Sequence, residues 1–470
     1  MGSFMMTIDG VAAPTEQAFG VINPATGEVF AEAPECSRSQ LDAAMESAAK
    51  AFVGWRVDEE RRREMLLRAA DALEAAAEGI GAVLTSEQGK PLREATGEVR
   101  GLVGHLRYYA ALQLPTQVLQ DDEDAFVEVV RRPLGVVAAI TPWNFPLALG
   151  GWKIAPALLA GNTMVLKPSP FTPLSTLMIG EVLRDLLPPG VLNVISGGDG
   201  LGAWMTEHPT PRKVSFTGSV ATGKKVAASA APDLKRVTLE LGGNDPAIVL
   251  DDVEPDEIAD KLFWGAFANN GQICMAIKRV YVPEARYDAV VEALAQRARS
   301  VRVGNGAEES TQLGPLNNAP QYQRVTELVD DALHAGGIAV TGGKPMEGPG
   351  YFFEPTIVAG LSDGTRLVDE EQFGPALPVI SYRDLDDAVR RANSTHFGLC
   401  GSVWTSDPER GSAVAAQLEC GTAWVNAHMA LTRGAPFGGA KWSGLGVEGG
   451  PWGVYGMTEL QVLHRTRKRS

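Results

Sequence analysis

Cysteine is scarce in this chain. Cys36, Cys274, Cys400 and Cys420 are the only four in 470 residues, and no two form a CxxC pair. Such spacing suits neither a disulfide framework nor a zinc site, so no metal is expected. Reduced thiols in a cytoplasmic enzyme fit better. Positive charge is also in short supply: 42 Lys and Arg stand against 57 Asp and Glu, giving a net charge of −15. An acidic balance disfavours nonspecific binding to nucleic acid or to anionic membrane, although a local pocket can still be cationic. Long apolar runs are missing. The stretch Leu134–Ile140 is among the longest, far short of a bilayer span. The opening, Met1 to Gly10, lacks the basic-then-apolar order of a signal peptide. There is no internal repeat and no low-complexity tract.

What remains is ordinary globular composition, 45% hydrophobic and 21% charged. The length suggests two or three domains. After a short extended opening, the first third reads as helix. Ser37 three residues before Gln40 is a capping-box pattern, and Leu41, Met45, Ala48, Phe52 and Trp55 follow at helical spacing. Asp58 is placed to cap the next helix, towards Ala77. From about residue 134 short apolar strands alternate with helices. Leu134–Ile140, Thr163–Lys167, Leu192–Ile195, Lys213–Thr217 and Val237–Leu241 read as buried strands, and Pro173–Leu187 and Val220–Ala230 as crossover helices. The alternation predicts an α/β fold with a parallel sheet, and residues 243–440 repeat it. Asp121–Val130 and Gly456–His464 are β-prone and peripheral, candidates for pairing between subunits.

Ligands of such sheets bind beyond the carboxyl ends of the strands. Asn144, Lys167, Gly218 and Glu240 all fall at or just past predicted strand ends. Each has a bland alternative. Phe216-Thr217-Gly218-Ser219 is a phosphate-binding turn or a plain capped one. Lys167, before Pro168-Ser169-Pro170, is a ribose or phosphate ligand or a solvated lysine. Glu240, before Gly242-Gly243, is a desolvated general base or an ion-paired glutamate. Cys274, after Asn269-Asn270-Gly271-Gln272-Ile273, is a nucleophile activated at a turn or helix start, or one more buried thiol. Asn144, between Trp143 and Phe145, is an oxyanion donor or a turn residue.

Together these segments resemble the aldehyde dehydrogenase superfamily nearly end to end. TPWNFP, KPS, FTGS, ELGG, GQxC, EExFGP (370–375) and PFGGxKxSG (436–444) occur in that order. The resemblance implies that Cys274 attacks the aldehyde carbon. The Asn144 amide and the Cys274 backbone N–H would hold the oxyanion of the thiohemiacetal. Hydride transfer to NAD(P) then leaves a thioester, which Glu240-activated water hydrolyses. Thr141, Trp143, Lys167, Ser169, Gly198, Phe216, Gly218, Ser219, Leu241, Glu371 and Phe373 match cofactor-binding positions. Phe145, Leu149, Trp152, Ile273, Met275, Leu431 and Phe437 match the substrate tunnel. The implied organisation is a dinucleotide-binding domain (1–117 and 138–242), a catalytic α/β domain (243–445) and an oligomerising β element (118–137 and 446–470), in a homodimer or homotetramer.

One position departs from the pattern. Many NAD-preferring members carry a glutamate three residues after the lysine, and here that residue is Pro170. NAD is expected, with NADP open. Members acting on succinic semialdehyde commonly place an arginine where Trp152 stands, so an uncharged aliphatic or aromatic aldehyde is expected. Two rival readings are a coenzyme A-acylating dehydrogenase, which needs no general-base glutamate, and a non-catalytic protein on the same fold, which tends to lose the nucleophile. This chain keeps Glu240 and Cys274.

Overall fold

The computed structural model describes residues 4–467; the expected domain limits at 1–3 and 468–470 lie outside them. The helical first third forms as its caps direct. Ser37 closes a capping box with Gln40 at the head of Arg38–Trp55, and Asp58 accepts the Arg61 backbone N–H at the head of Glu59–Ala75. Leu41, Met45, Ala48 and Trp55 are buried as the helical spacing predicts, whereas Phe52 is only half-buried.

The first sheet has eight strands. Its five parallel strands lie in the order Arg236–Glu240, Lys213–Thr217, Val136–Ile140, Thr163–Lys167, Leu192–Val194. The strand first in sequence is therefore central, and chain order reverses between it and Lys213–Thr217. A crevice opens at such a reversal, beyond the carboxyl ends of the strands. Val136–Ile140, Thr163–Lys167 and Lys213–Thr217 are buried along their whole length, which is why they read as continuous apolar runs rather than alternating ones. An N-terminal hairpin, Met6–Ile8 with Val11–Ala13, extends one edge, and Gly444–Leu445 extends the other by pairing antiparallel to Leu239 and Glu240. The residues just before Glu448 are thus stitched to the sheet that carries Glu240.

The second sheet has seven strands in the order Ile338–Thr341, Thr356–Ala359, Ala376–Tyr382, Ile277–Pro283, Asp245–Val249, Cys400–Trp404, Thr422–Val425, parallel except for the first pair. It has its own apolar cores on its two faces.

The two peripheral β-prone segments, candidates for pairing between subunits, form one small sheet. They pair with each other within the chain: Thr458–Thr466 runs antiparallel to Ala125–Pro133, with Gln117–Asp121 on the far side. Full registry from Thr458 opposite Pro133 to Thr466 opposite Ala125 pairs one edge of the inner strand, and Gln117–Asp121 pairs part of the other, opposite residues 126–129. Two outer edges stay open, and Val118, Leu119, Leu460 and Val462 are exposed on them. Among the described residues no helix is long and apolar enough to cross a membrane.

Candidate active site

Cys274 owes its position to a sharp reversal. The helix Pro255–Phe267 ends, and Asn269 (φ 49°), Asn270 (φ 57°) and Gly271 (φ +74°) follow in left-handed geometry. Asparagine tolerates that region better than most residues because its short amide bonds locally. Here the Asn269 amide donates to the carbonyls of Asn144 and Gln272. Cys274 then sits in a turn before the strand Ile277–Pro283, not at a helix start. Its carbonyl and that of Ile273 are both held by the buried Lys278 ammonium, at 2.7 and 2.9 Å.

Without substrate or cofactor the thiol is held above its ordinary range. Burial pushes it up to about 12; Lys278 opposes this, while Glu371, Asp245 and Glu240 add to it. A thiol so placed is protonated at neutral pH, so its proton must be taken as it attacks.

Asn144 is also buried. Its amide donates to the Gln272 carbonyl at 2.9 Å, so a residue two positions before the thiol holds it. The Asn144 segment is fixed from beneath by Lys90, whose ammonium donates to the Asn144 carbonyl at 2.8 Å and to Glu98 at 2.5 Å. Glu98 in turn accepts the Leu147 and Ala148 N–H groups at the start of helix Pro146–Ala160. Both side chains are fully buried. Removing one partner would leave a buried charge alone, so Lys90→Met should cost roughly 3–5 kcal/mol of stability. Denaturant unfolding checks this: a loss below about 1 kcal/mol, the range of an exposed pair, would contradict it.

Glu240 ends its strand with both carboxylate oxygens buried and unpartnered. Desolvation raises its pKa well above the ordinary value; Glu448 raises it further and Lys153 lowers it. Lys153 and Glu448 form a buried pair at 2.7 Å, with Ser215 and Thr217 bonded to the same ammonium. A carboxylate left with no donor of its own in a dry setting is poised to take a proton.

Most of the positions expected to bind the cofactor lie at or just past the carboxyl ends of the first sheet's strands. Lys167 is buried rather than solvated, with the Pro168 carbonyl as its hydrogen-bond partner, and burial pushes its ammonium down to about 8. Thr141 N–H bonds the Lys167 carbonyl, so two strand ends are tied together. Ser169 bonds the Phe171 N–H, and Gly198 bonds Glu35 at the head of Asp199–Glu207. Gly218 lies over the Phe216 ring, where a Cβ would come within 2.5 Å of the ring. Ser219 caps Val220–Ala230, so that helix's N-terminus opens onto the same turn. Leu241 is buried against Gly223. Glu371 accepts the Gly243 N–H at 3.1 Å and faces Lys278 at 3.5 Å. Trp143 and Phe373 meet edge-to-face, 5.3 Å between ring centres, although 230 residues separate them. The cradle fits a dinucleotide: a buried cation with unused donors, a turn open to backbone approach, and a helix N-terminus.

All seven tunnel positions line one cavity of about 1210 Å³ that also contains Cys274 and Asn144. Trp152 packs edge-to-face on Phe437 at 5.3 Å. Phe145 lies under the Lys90 ammonium at 3.7 Å.

Sequence reasoning missed Lys90, Glu98, Lys153, Lys278 and Glu448. Lys153 carried a signal, being the lone charge in the apolar run Pro146–Ala160. Glu448 carried none: it lies in a glycine-rich stretch with no period.

The class follows from the fold: two α/β sheets, one with a crevice at its strand-order reversal whose strand ends approach a half-buried thiol. Comparison with known proteins gives the family. The model of the aldehyde dehydrogenase family matches residues 11–463. The chain is 40% identical to mitochondrial succinate-semialdehyde dehydrogenase of Arabidopsis thaliana, over 94% of this chain and 85% of that one. It is 37% identical to human retinaldehyde dehydrogenase 3, over 95% of this chain and 89% of that one. The NAD+ complex of an aldehyde dehydrogenase from Bacillus cereus superposes with a TM-score of 0.97 at 34% identity, covering 99% of this chain and 97% of that one. The chain belongs to the aldehyde dehydrogenase family. It is an NAD(P)-dependent oxidoreductase that oxidises aldehydes to acids.

Proposed function

We propose that Cys274 is the nucleophile, Asn144 the oxyanion donor and Glu240 the base of this reaction. The observation that carries the reading is convergence. Asn144 and Cys274 share one cavity end, and Glu240 is near enough to perturb the thiol while its own oxygens have no partner. The thiol passes its proton to Glu240, which releases it to solvent, as sulfur bonds to the aldehyde carbon. The carbonyl oxygen becomes an oxyanion, within reach of the Asn144 amide and the Cys274 N–H. NAD(P)+, when bound, would supply the hydride acceptor for that carbon, and loss of the hydride would restore the carbonyl as a thioester. Water, deprotonated by Glu240, then adds to the thioester carbon, and the sulfur leaves with the proton to restore the thiol. Lys167, Ser169, Thr141 and Gly198 would line the adenosine end of the cofactor site; Gly218, Ser219, Phe216 and Leu241 would line the pyrophosphate turn; Trp143, Glu371 and Phe373 would hold the nicotinamide end. The test is NADH absorbance on adding aldehyde without coenzyme A. Strict dependence on coenzyme A would favour the acylating reading, and no turnover the non-catalytic one.

The tunnel walls support an aldehyde with an aliphatic or aromatic body. The two relatives named above act on very different aldehydes by their names, so they do not choose one. A strong preference for succinic semialdehyde would sink this reading. For the cofactor, we expect NAD to be preferred and NADP accepted, because Pro170 brings no carboxylate against a 2′-phosphate. Pro170→Glu should lower kcat/KM for NADP roughly ten-fold or more through like-charge repulsion, with a smaller effect on NAD. Equal losses on the two cofactors would contradict the assignment.

The open edges of the three-stranded sheet support its role as the oligomerising element of a homodimer or homotetramer. Residues 1–117 and 138–242 would form the cofactor domain and 243–445 the catalytic one. Gly444–Leu445 nonetheless pairs with the first sheet, and Val136–Ile140 begins two residues before the proposed limit. Four free thiols support a cytoplasmic, reducing setting.

A further inference from the structure

The tunnel mouth is electrically one-sided. In a chain of net charge −15, the residues lining this cavity include Arg107 and Arg433 and neither an aspartate nor a glutamate. The two arginines are not equivalent. Arg107 is already paired, with Asp71 at 3.0 Å and Glu74 at 3.5 Å. Arg433 has no ion pair and no side-chain hydrogen bond among the described residues.

Yet Arg433 has a defined seat. Its guanidinium lies against Gly104 of helix Leu92–Ala111; a Cβ there would come within 2.5 Å of Nη2 and 2.9 Å of Cζ. Its carbonyl accepts the Gly450 N–H at 3.0 Å, which pins the backbone on the other side. The neighbouring His105 is packed on Trp152 and offers no second cation: burial first, and the Arg433 charge after it, hold its imidazole below the ordinary range. A seated guanidinium without a protein partner retains its forked donors for a ligand.

We propose that Arg433 recognises an anion, and that the substrate is an amphipathic aldehyde with the carbonyl at one end and a carboxylate at the other, separated by an apolar chain or ring. This deepens the site assignment above and rests on it, since Cys274 must mark the closed end. It changes the expectation of an uncharged substrate, which rested on the mostly apolar tunnel positions and on Trp152. The walls still exclude a short semialdehyde, whose carboxylate would be stranded among Trp152, Phe437 and Leu149 at a desolvation cost. Only a body long enough to bring the carboxylate to Arg433 satisfies both ends.

The experiment is steady-state kinetics with NAD+ on ω-oxo carboxylic acids of increasing chain length and on their methyl esters. The acid-to-ester ratio of kcat/KM should rise with length to roughly five- to ten-fold, and should shrink as salt screens the pair. Arg433→Gln should bring the ratio towards one, and Arg433→Lys should keep part of it. Binding of the dicarboxylate product, followed by calorimetry, should weaken in Arg433→Gln by a similar factor. A ratio near one at every length in the native enzyme, or a preference that Arg433→Gln leaves intact, overturns the proposal. Failure to oxidise any acid or ester would instead overturn the site assignment, and this proposal with it.

Discussion

Cys274→Ala should abolish aldehyde oxidation, with kcat falling by roughly 10⁴-fold or more, because no other group in the cavity can form the covalent intermediate. Cys400 packs in the same small cluster, but its thiol is held well above its ordinary pKa by burial and it is absent from the cavity lining. The measurement is NADH formation by variant and native enzyme, with binding of the cofactor checked separately. Loss of turnover with retained NAD binding is the expected outcome. Residual activity within ten-fold of native would contradict the covalent route. The raised thiol adds a second check. With Cys274 pushed up to about 12, alkylation of the free enzyme should be slow at neutral pH and should accelerate steadily as pH rises.

Glu240→Gln should separate the two halves of the reaction. Hydride transfer precedes hydrolysis, so a first-turnover burst of NADH should survive while steady-state turnover drops by roughly 10²–10⁴-fold. The pH dependence follows from the direction of the shift. A carboxyl raised well above its ordinary value takes up its proton at a higher pH than a free glutamate and is lost as a base when pH falls. Native kcat, where hydrolysis limits it, should therefore climb with pH through the raised pKa, and Glu240→Gln should flatten that climb. Unchanged steady turnover, or an unchanged pH profile, would refute the assigned role.

The parts of this molecule that sequence discloses are those governed by local rules. Ser37 and Asp58 announce helix starts because capping is a contact over three residues. The central strands announce themselves because burial on both faces leaves no room for alternation. Ordered motifs bring together Asn144, Glu240 and Cys274. Sequence fails where the determinant is long-range. Lys90 and Glu98 look like surface charges in a helical region, yet they support the Asn144 segment from below. The elevated thiol of Cys274 is equally hidden, since desolvation raises it most, Lys278 opposes this, and three carboxylates from distant segments add to it. Arg433 illustrates the same limit at the tunnel mouth: position 433 carries no pattern, and its meaning depends on a missing side chain at Gly104.

The buried pair of Lys153 and Glu448 bears on how the chain is made. Its members are 295 residues apart, and Gly444–Leu445 closes the edge of the first sheet more than 200 residues after the strand it pairs with. A ribosome would release the central strands long before the segment that completes them. Until Glu448 emerges, Lys153 has no countercharge in an otherwise apolar helix, and the strand Arg236–Glu240 shows a bare edge. The nascent first half should therefore stay loosely packed and prone to association, depend on chaperone shelter, and gain its full protection against proteolysis only when the last few dozen residues arrive.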